Sequence, residues 1–129
     1  MPTTSQKRSG FKQSTYASVG AFTSQTLIEY VREGKRAGTI SAERYNVYAE
    51  AKTIEQALSL GSRVPDFLND FEKGLLRPVG GLREPGENVS PEQFAAMNKL
   101  DQRLYNFARK ARGDARMSLK ALARAKGKA

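Results

Sequence analysis

Residues 23–34, TSQTLIEYVREG, decide the fold class of this chain. Thr23 or Ser24 offers an N-cap, Leu27, Ile28, Tyr30 and Val31 offer apolar positions, and Gly34 can take the left-handed conformation that closes a helix. The stretch therefore reads as a first helix. With further helical signals downstream, the expected fold is all-α: a bundle of four to five helices with an extended N-terminal arm and a basic C-terminal helix.

The connector Gly34-Lys35-Arg36-Ala37-Gly38 is short, basic and flanked by glycine. It could contact phosphate, but it lacks the full Gly-rich P-loop pattern, so it reads as a plain turn between helices in preference to a phosphate-contacting loop. Ser41 then caps a helix expected over 42–60, with Val47, Ala51, Ile54 and Leu58 on its buried stripe. Tyr45 and Tyr48 flank that stripe, as packing residues with wet hydroxyls in preference to a base-stacking platform. Pro65 and Asp66 announce a short helix that buries Phe67, Leu68 and Phe71 and stops at Gly74.

Residues 74–89, GLLRPVGGLREPGENV, read as a loop, since Pro78, Pro85 and Gly80-Gly81 interrupt every candidate strand. Its Leu75, Leu76, Val79 and Leu82 should lie on the chain's own core or on a neighbouring subunit. Ser90-Pro91-Glu92-Gln93 is the strongest local signal, an N-cap with a capping box, opening a helix to about Arg112. That helix should bury Phe94, Met97, Leu104, Phe107, Ala108 and Ala111, with Leu100 widening the stripe, and either break or weaken at Gly113. Beyond it Arg116, Lys120 and Arg124, at i, i+4 and i+8, would form a basic stripe about 12 Å long.

Upstream, residues 1–22 form a basic arm, and ten Ser or Thr fall within the first 26 positions. Alone in water such a segment should be disordered. Its Phe11, Tyr16 and Phe22 are expected to dock on a partner surface or, alternatively, on the chain's own core. The organisation is thus an arm over 1–22, a helical body over 23–112 and a basic helix or tail over 113–129.

Charge is segregated along the 129 residues. The net charge of +9 divides into +3 over residues 1–26, −1 over 27–108 and +7 over 109–128, where eight basic residues face Asp114 alone. A near-neutral body with basic ends suits a chain whose body packs against protein while its ends hold a polyanion. The candidate nucleic-acid contacts are Lys7, Arg8, Lys12 and Tyr16 in the arm and Lys35 and Arg36 in the connector. At the C-terminal end they are Arg109, Lys110, Arg112, Arg116, Lys120, Arg124, Lys126 and Lys128.

Enzymatic chemistry is poorly provided for. Neither Cys nor His occurs, which removes thiolate and imidazole catalysis, the usual zinc sites and any disulfide framework. Asp66, Asp70 and Glu72 lie close in sequence, but Asp66 fits the helix dipole and the other two fit a solvated face. No enzyme, metal site or cofactor is expected. With 39% hydrophobic residues, against roughly 45–50% in average globular usage, the chain can bury one modest core. No apolar run approaches a membrane span and no secretory h-region is present, so a soluble intracellular or virion protein is expected.

The basic Ser/Thr-rich arm with Lys7, Arg8 and Lys12, the small helical body and the basic C-terminal run from Arg109 to Lys128 together resemble the coat proteins of filamentous archaeal double-stranded DNA viruses, the rudivirus, lipothrixvirus and tristromavirus group. The resemblance is one of layout and rests on no diagnostic motif. It implies a capsid subunit that wraps duplex DNA of any sequence in a helical virion, self-associating or pairing with a paralogous coat subunit, assembled in the host cytoplasm. Glu29, Glu33, Glu50 and Glu55 would then have to face away from DNA or pair with a neighbour's basic residues. Two other readings stand beside it: a ribosomal or other RNA-associated basic protein, and a small helical adaptor or regulator.

Overall fold

A computed structural model of the chain describes residues 10–32, 34–84, 88–121 and 123. The elements are α1 (Gln13–Val19), β1 (Leu27–Tyr30), α2 (Ile40–Tyr48), α3 (Ile54–Ser59), α4 (Val64–Glu72), β2 (Leu76–Gly80), α5 (Pro91–Ala96) and α6 (Lys99–Arg112). Strands β1 and β2 pair antiparallel, with Ile28 opposite Pro78 and Tyr30 opposite Leu76. The fold is therefore mixed α/β and not all-α.

The correction originates in residues 23–34. Instead of capping a helix, Thr23 and Thr26 bond locally, Thr26 Oγ1 accepting from the Thr23 N–H at 2.7 Å and donating to the Gly81 carbonyl at 2.9 Å. The Ser24 N–H is taken by Asp101 Oδ1 at 2.7 Å. Ser and Thr side chains that satisfy nearby backbone compete with helix formation. The chain then leaves extended, with Ile28 buried and Leu27 and Glu29 exposed, and the Ile28 N–H donates to the Lys52 carbonyl at 2.9 Å. Pro78 is tolerated in β2 because each strand of a two-stranded sheet is an edge strand.

The expected helix over 42–60 is two helices. It breaks after Tyr48, and Thr53 caps α3 by accepting from the Gln56 N–H at 3.1 Å. The buried face of α2 runs through Ala42, Tyr45 and Tyr48, so Val47 lies off it and is 54% exposed while Tyr45 and Tyr48 are wholly buried. Their hydroxyls are bonded and not wet: Tyr45 Oη donates to the Val31 carbonyl at 2.5 Å and Tyr48 Oη to Asp70 Oδ2 at 2.8 Å. Asp70 lies in the core, not on a solvated face.

The short helix at Pro65 and the capping box at Ser90 form as expected. Ser90 Oγ accepts from the Gln93 N–H at 3.1 Å and Gln93 Oε1 from the Ser90 N–H at 2.8 Å. That helix stops at Ala96, however, because Asn98 starts a new one by accepting from the Asp101 N–H at 2.8 Å. Gln102 ties the two together, donating to the carbonyls of Phe94 at 3.0 Å and Met97 at 3.2 Å.

The arm's aromatics dock on the chain's own core. Tyr16, Val19 and Phe22 are buried together with Ile28, Ile54, Phe67, Leu76 and Leu104, and Phe11 packs against that cluster. Helix α1 lies along α6, and at its end Gly20 permits a very close approach: a Cβ there would meet the Ala108 main chain, with Ala108 Cα only 2.6 Å away. A smaller second cluster gathers Val89, Phe94 and Tyr105, with Met97 and Met117 against it.

Candidate nucleic-acid interface

Helix α6 divides its charge by face. Leu104, Tyr105 and Ala111 are buried, and its one acidic residue, Asp101, turns inward to Ser24. Lys99, Arg103 and Lys110, at i, i+4 and i+11, are exposed. Arg109, Lys110 and Arg112 fall in the last turn, where the helix dipole favours cations. Gly113, at φ 84°, closes the helix in the left-handed conformation.

After Gly113 the chain doubles back along α6. Asn106 clasps Met117 through both amide atoms, Nδ2 donating to the Met117 carbonyl and Oδ1 accepting from its N–H, each at 2.9 Å. Arg109 Nε donates to the Ala115 carbonyl at 2.6 Å, and Arg112 Nε lies 3.1 Å from Asp114 Oδ2. Between helix and returning segment opens a cleft of about 740 Å³, whose charged lining is Arg103, Lys110 and Arg116 against Asp114. Phe107 contributes an apolar wall, and Lys110 Nζ stands 4.6 Å from the Tyr16 ring centroid.

Four ion pairs join residues of the body. Arg77 pairs with Glu29 at 2.6 Å, Arg32 with Glu50 at 2.6 Å, Arg44 with Asp66 at 2.8 Å and Lys35 with Asp70 at 3.1 Å. Burial pushes the Asp66 carboxyl up, but the Arg44 guanidinium and the Arg63 N–H more than offset this and hold it below the usual carboxylate range. Glu29 and Glu50 thus find partners within the chain, and Gln25 Nε2 donates to Glu55 Oε1 at 3.3 Å. A neighbour's basic residues are not needed for them, while Glu33 lies outside the described residues.

Of the expected contacts, Arg109, Lys110, Arg112, Arg116 and Lys120 gather at the end of α6 and just beyond it. Arg109 and Arg112 also serve the fold. Burial raises the Tyr105 hydroxyl, but the Val89 N–H, Arg112 and Arg109 reverse this and leave its pKa below the ordinary value. Tyr16 is in the core and is not a contact surface. Lys35 is held by Asp70, with its side chain 13% exposed. Lys12 is exposed and opens α1, its N–H donating to Glu72 Oε2 at 2.8 Å, and Arg36 is exposed in the connector.

The stripe expected from Arg116 through Arg124 does not start at Arg116, because residues 114–118 are not helical and a helical turn begins only at Leu119. Lys7, Arg8, Arg124, Lys126 and Lys128 lie outside the described residues. Arg103 and Asn106 are additions to the expected set, and the 99, 103, 110 spacing was the signal for the former. Among the described residues no three or more acidic side chains cluster as metal ligands would, and no helix is long and apolar enough to cross a membrane.

Comparison of the chain with protein-family models, with characterised proteins and with solved structures finds no match.

Proposed function

We propose that the protein is a structural nucleic-acid-binding subunit, a coat component that holds duplex DNA by its phosphates without reading sequence. The observation that carries this reading is the arrangement around α6, where Arg103, Lys110 and Arg116 line one cleft while Asp101 is turned inward. Lys and Arg donors aimed at phosphates neutralise any sequence equally. The body's internal ion pairs support the same reading, since they engage Arg32, Lys35, Arg44 and Arg77 within the fold. Self-association into a helical particle would use a patch of one copy against a different patch of the next.

The test is a salt titration of binding to duplexes of unrelated sequence. About six to ten phosphate contacts should weaken binding roughly 10³ to 10⁵-fold between 50 and 200 mM salt. The triple variant R103A/K110A/R116A should flatten the log–log slope by about 2.7, at about 0.9 per lost contact. Salt-insensitive binding, a strong sequence preference, a large preference for structured RNA or an unchanged slope in the triple variant would each defeat the proposal. Negative-stain images with and without DNA test assembly, for which filaments are expected.

A further inference from the structure

The connector between β1 and α2 borders a second concavity, about 320 Å³ in volume, that shares no residue with the α6 cleft. Lys35, Arg36 and Lys73 stand around it, with Thr39 and Ser41 on its wall. Lys35 is already committed, its Nζ 3.1 Å from the buried Asp70 and 5.4 Å from the Tyr45 ring centroid. Arg36 and Lys73 form no ion pair among the described residues. Glu72, beside Lys73 in sequence, is turned toward α1, where its Oε2 accepts from the Lys12 N–H and from Thr15 Oγ1. Among the described residues, then, two cations of the pocket lining, Arg36 and Lys73, have no ion-pair partner.

Its wall also supplies donors. Thr39 caps α2, with its hydroxyl accepting from the Ala42 N–H at 3.0 Å and its carbonyl from the Glu43 N–H at 3.1 Å. None of the described residues accepts from the Ile40 or Ser41 N–H. Backbone donors at a helix start, a hydroxyl and two cations around one concavity are the components of a phosphate cradle. Gly38, at φ 86°, lets the connector turn into the helix. A phosphodiester carries one negative charge, whereas a phosphate monoester near neutral pH carries close to two, and that matches Arg36 plus Lys73.

We propose that this pocket binds a phosphate monoester, the dianion lying between Arg36 and Lys73 and against the Ser41 hydroxyl and the free N–H groups that open α2. The group could be borne by a small phosphorylated molecule or by the 5′ end of a nucleic acid; the chemistry recognised is the same.

Amide NMR shifts of the 129-residue chain, followed at constant ionic strength, test the site with phenyl phosphate, dimethyl phosphate and sodium chloride as probes. Phenyl phosphate should shift Ile40 and Ser41 saturably and bind at least tenfold more tightly than dimethyl phosphate. R36Q/K73Q should weaken it at least tenfold, and S41A severalfold, the latter serving if the double variant fails to fold. R103A/K110A/R116A should leave phenyl phosphate binding unchanged, so that loss of DNA binding and loss of this pocket are read separately. Competition by a 5′-phosphorylated oligonucleotide, but not by its unphosphorylated twin, would assign the group to a nucleic-acid end; competition by neither would assign it to a small molecule. Non-saturable shifts, equal binding of the diester or full binding in both pocket variants would overturn the proposal.

Discussion

Asp70 is fully buried between Tyr48 Oη, 2.8 Å from one carboxyl oxygen, and Lys35 Nζ, 3.1 Å from the other. Removing one member of a buried ion pair strands the other charge, at a cost of about 3–5 kcal/mol. Lys35→Met should destabilise by that order in urea denaturation. Lys35→Met combined with Asp70→Asn should recover most of the loss, because no charge is then buried and the amide oxygen still accepts from Tyr48. Simple additivity of the two single changes would contradict the coupling. Three tyrosines share this environment. Burial, followed by the Asp70 charge, pushes the Tyr45 hydroxyl up to about 12 and raises Tyr30 and Tyr48 further still. A raised native pKa stabilises the fold below the unfolded tyrosine value of about 10, and that stability is lost as pH climbs past it. Tyr105 is displaced the other way and should ionise first, in the folded chain. In a Tyr16→Phe background, which leaves these four tyrosines, ultraviolet titration of tyrosinate beside circular dichroism should show one early step, abolished by adding Tyr105→Phe, and the ionisation of Tyr30, Tyr45 and Tyr48 only with unfolding. Joint titration of all four at the ordinary value with the fold intact would refute this.

At the scale of elements, the closest approach is between the end of α1 and α6. Gly20→Ala should destabilise by about 1–3 kcal/mol, the usual range for overpacking. Adding Ala108→Gly should not rescue it, since the obstruction includes the Ala108 main chain and not its methyl group alone. Thermal melts of the single and double variants check this, and a full rescue would show that the side chains alone collide. What was legible in the sequence followed local chemistry. The Pro65 start and the Ser90 capping box depend on neighbours three residues away, and both formed. Strand β1 depended on Gly81, Lys52 and Asp101, all remote in sequence, and no helical periodicity in residues 23–34 could reveal them. The same distinction governed the site. The basic cluster from Arg109 to Arg116 is visible as composition, whereas the withdrawal of Lys35 by Asp70 and of Tyr16 by Phe11 and Phe107 is visible only in the folded chain.

Across the whole molecule, charge is sorted a second time by folding. The linear division into basic ends and balanced middle becomes a body whose Glu29, Glu50, Asp66 and Asp70 are each matched, beside a helix end where cations outnumber acids. The reversal at Gly113, fixed by the clasp of Asn106 on Met117, lays the charges after Gly113 alongside those before it. The cationic groups of the two segments thereby share one stretch of α6 in place of following one another along a straight helix. A duplex lying there would shed its condensed counter-ions over a correspondingly short stretch of its axis. On the proposed function, the driving force of such an encounter would be the freedom gained by those ions, and it would belong to the turn at Gly113 as much as to any single arginine.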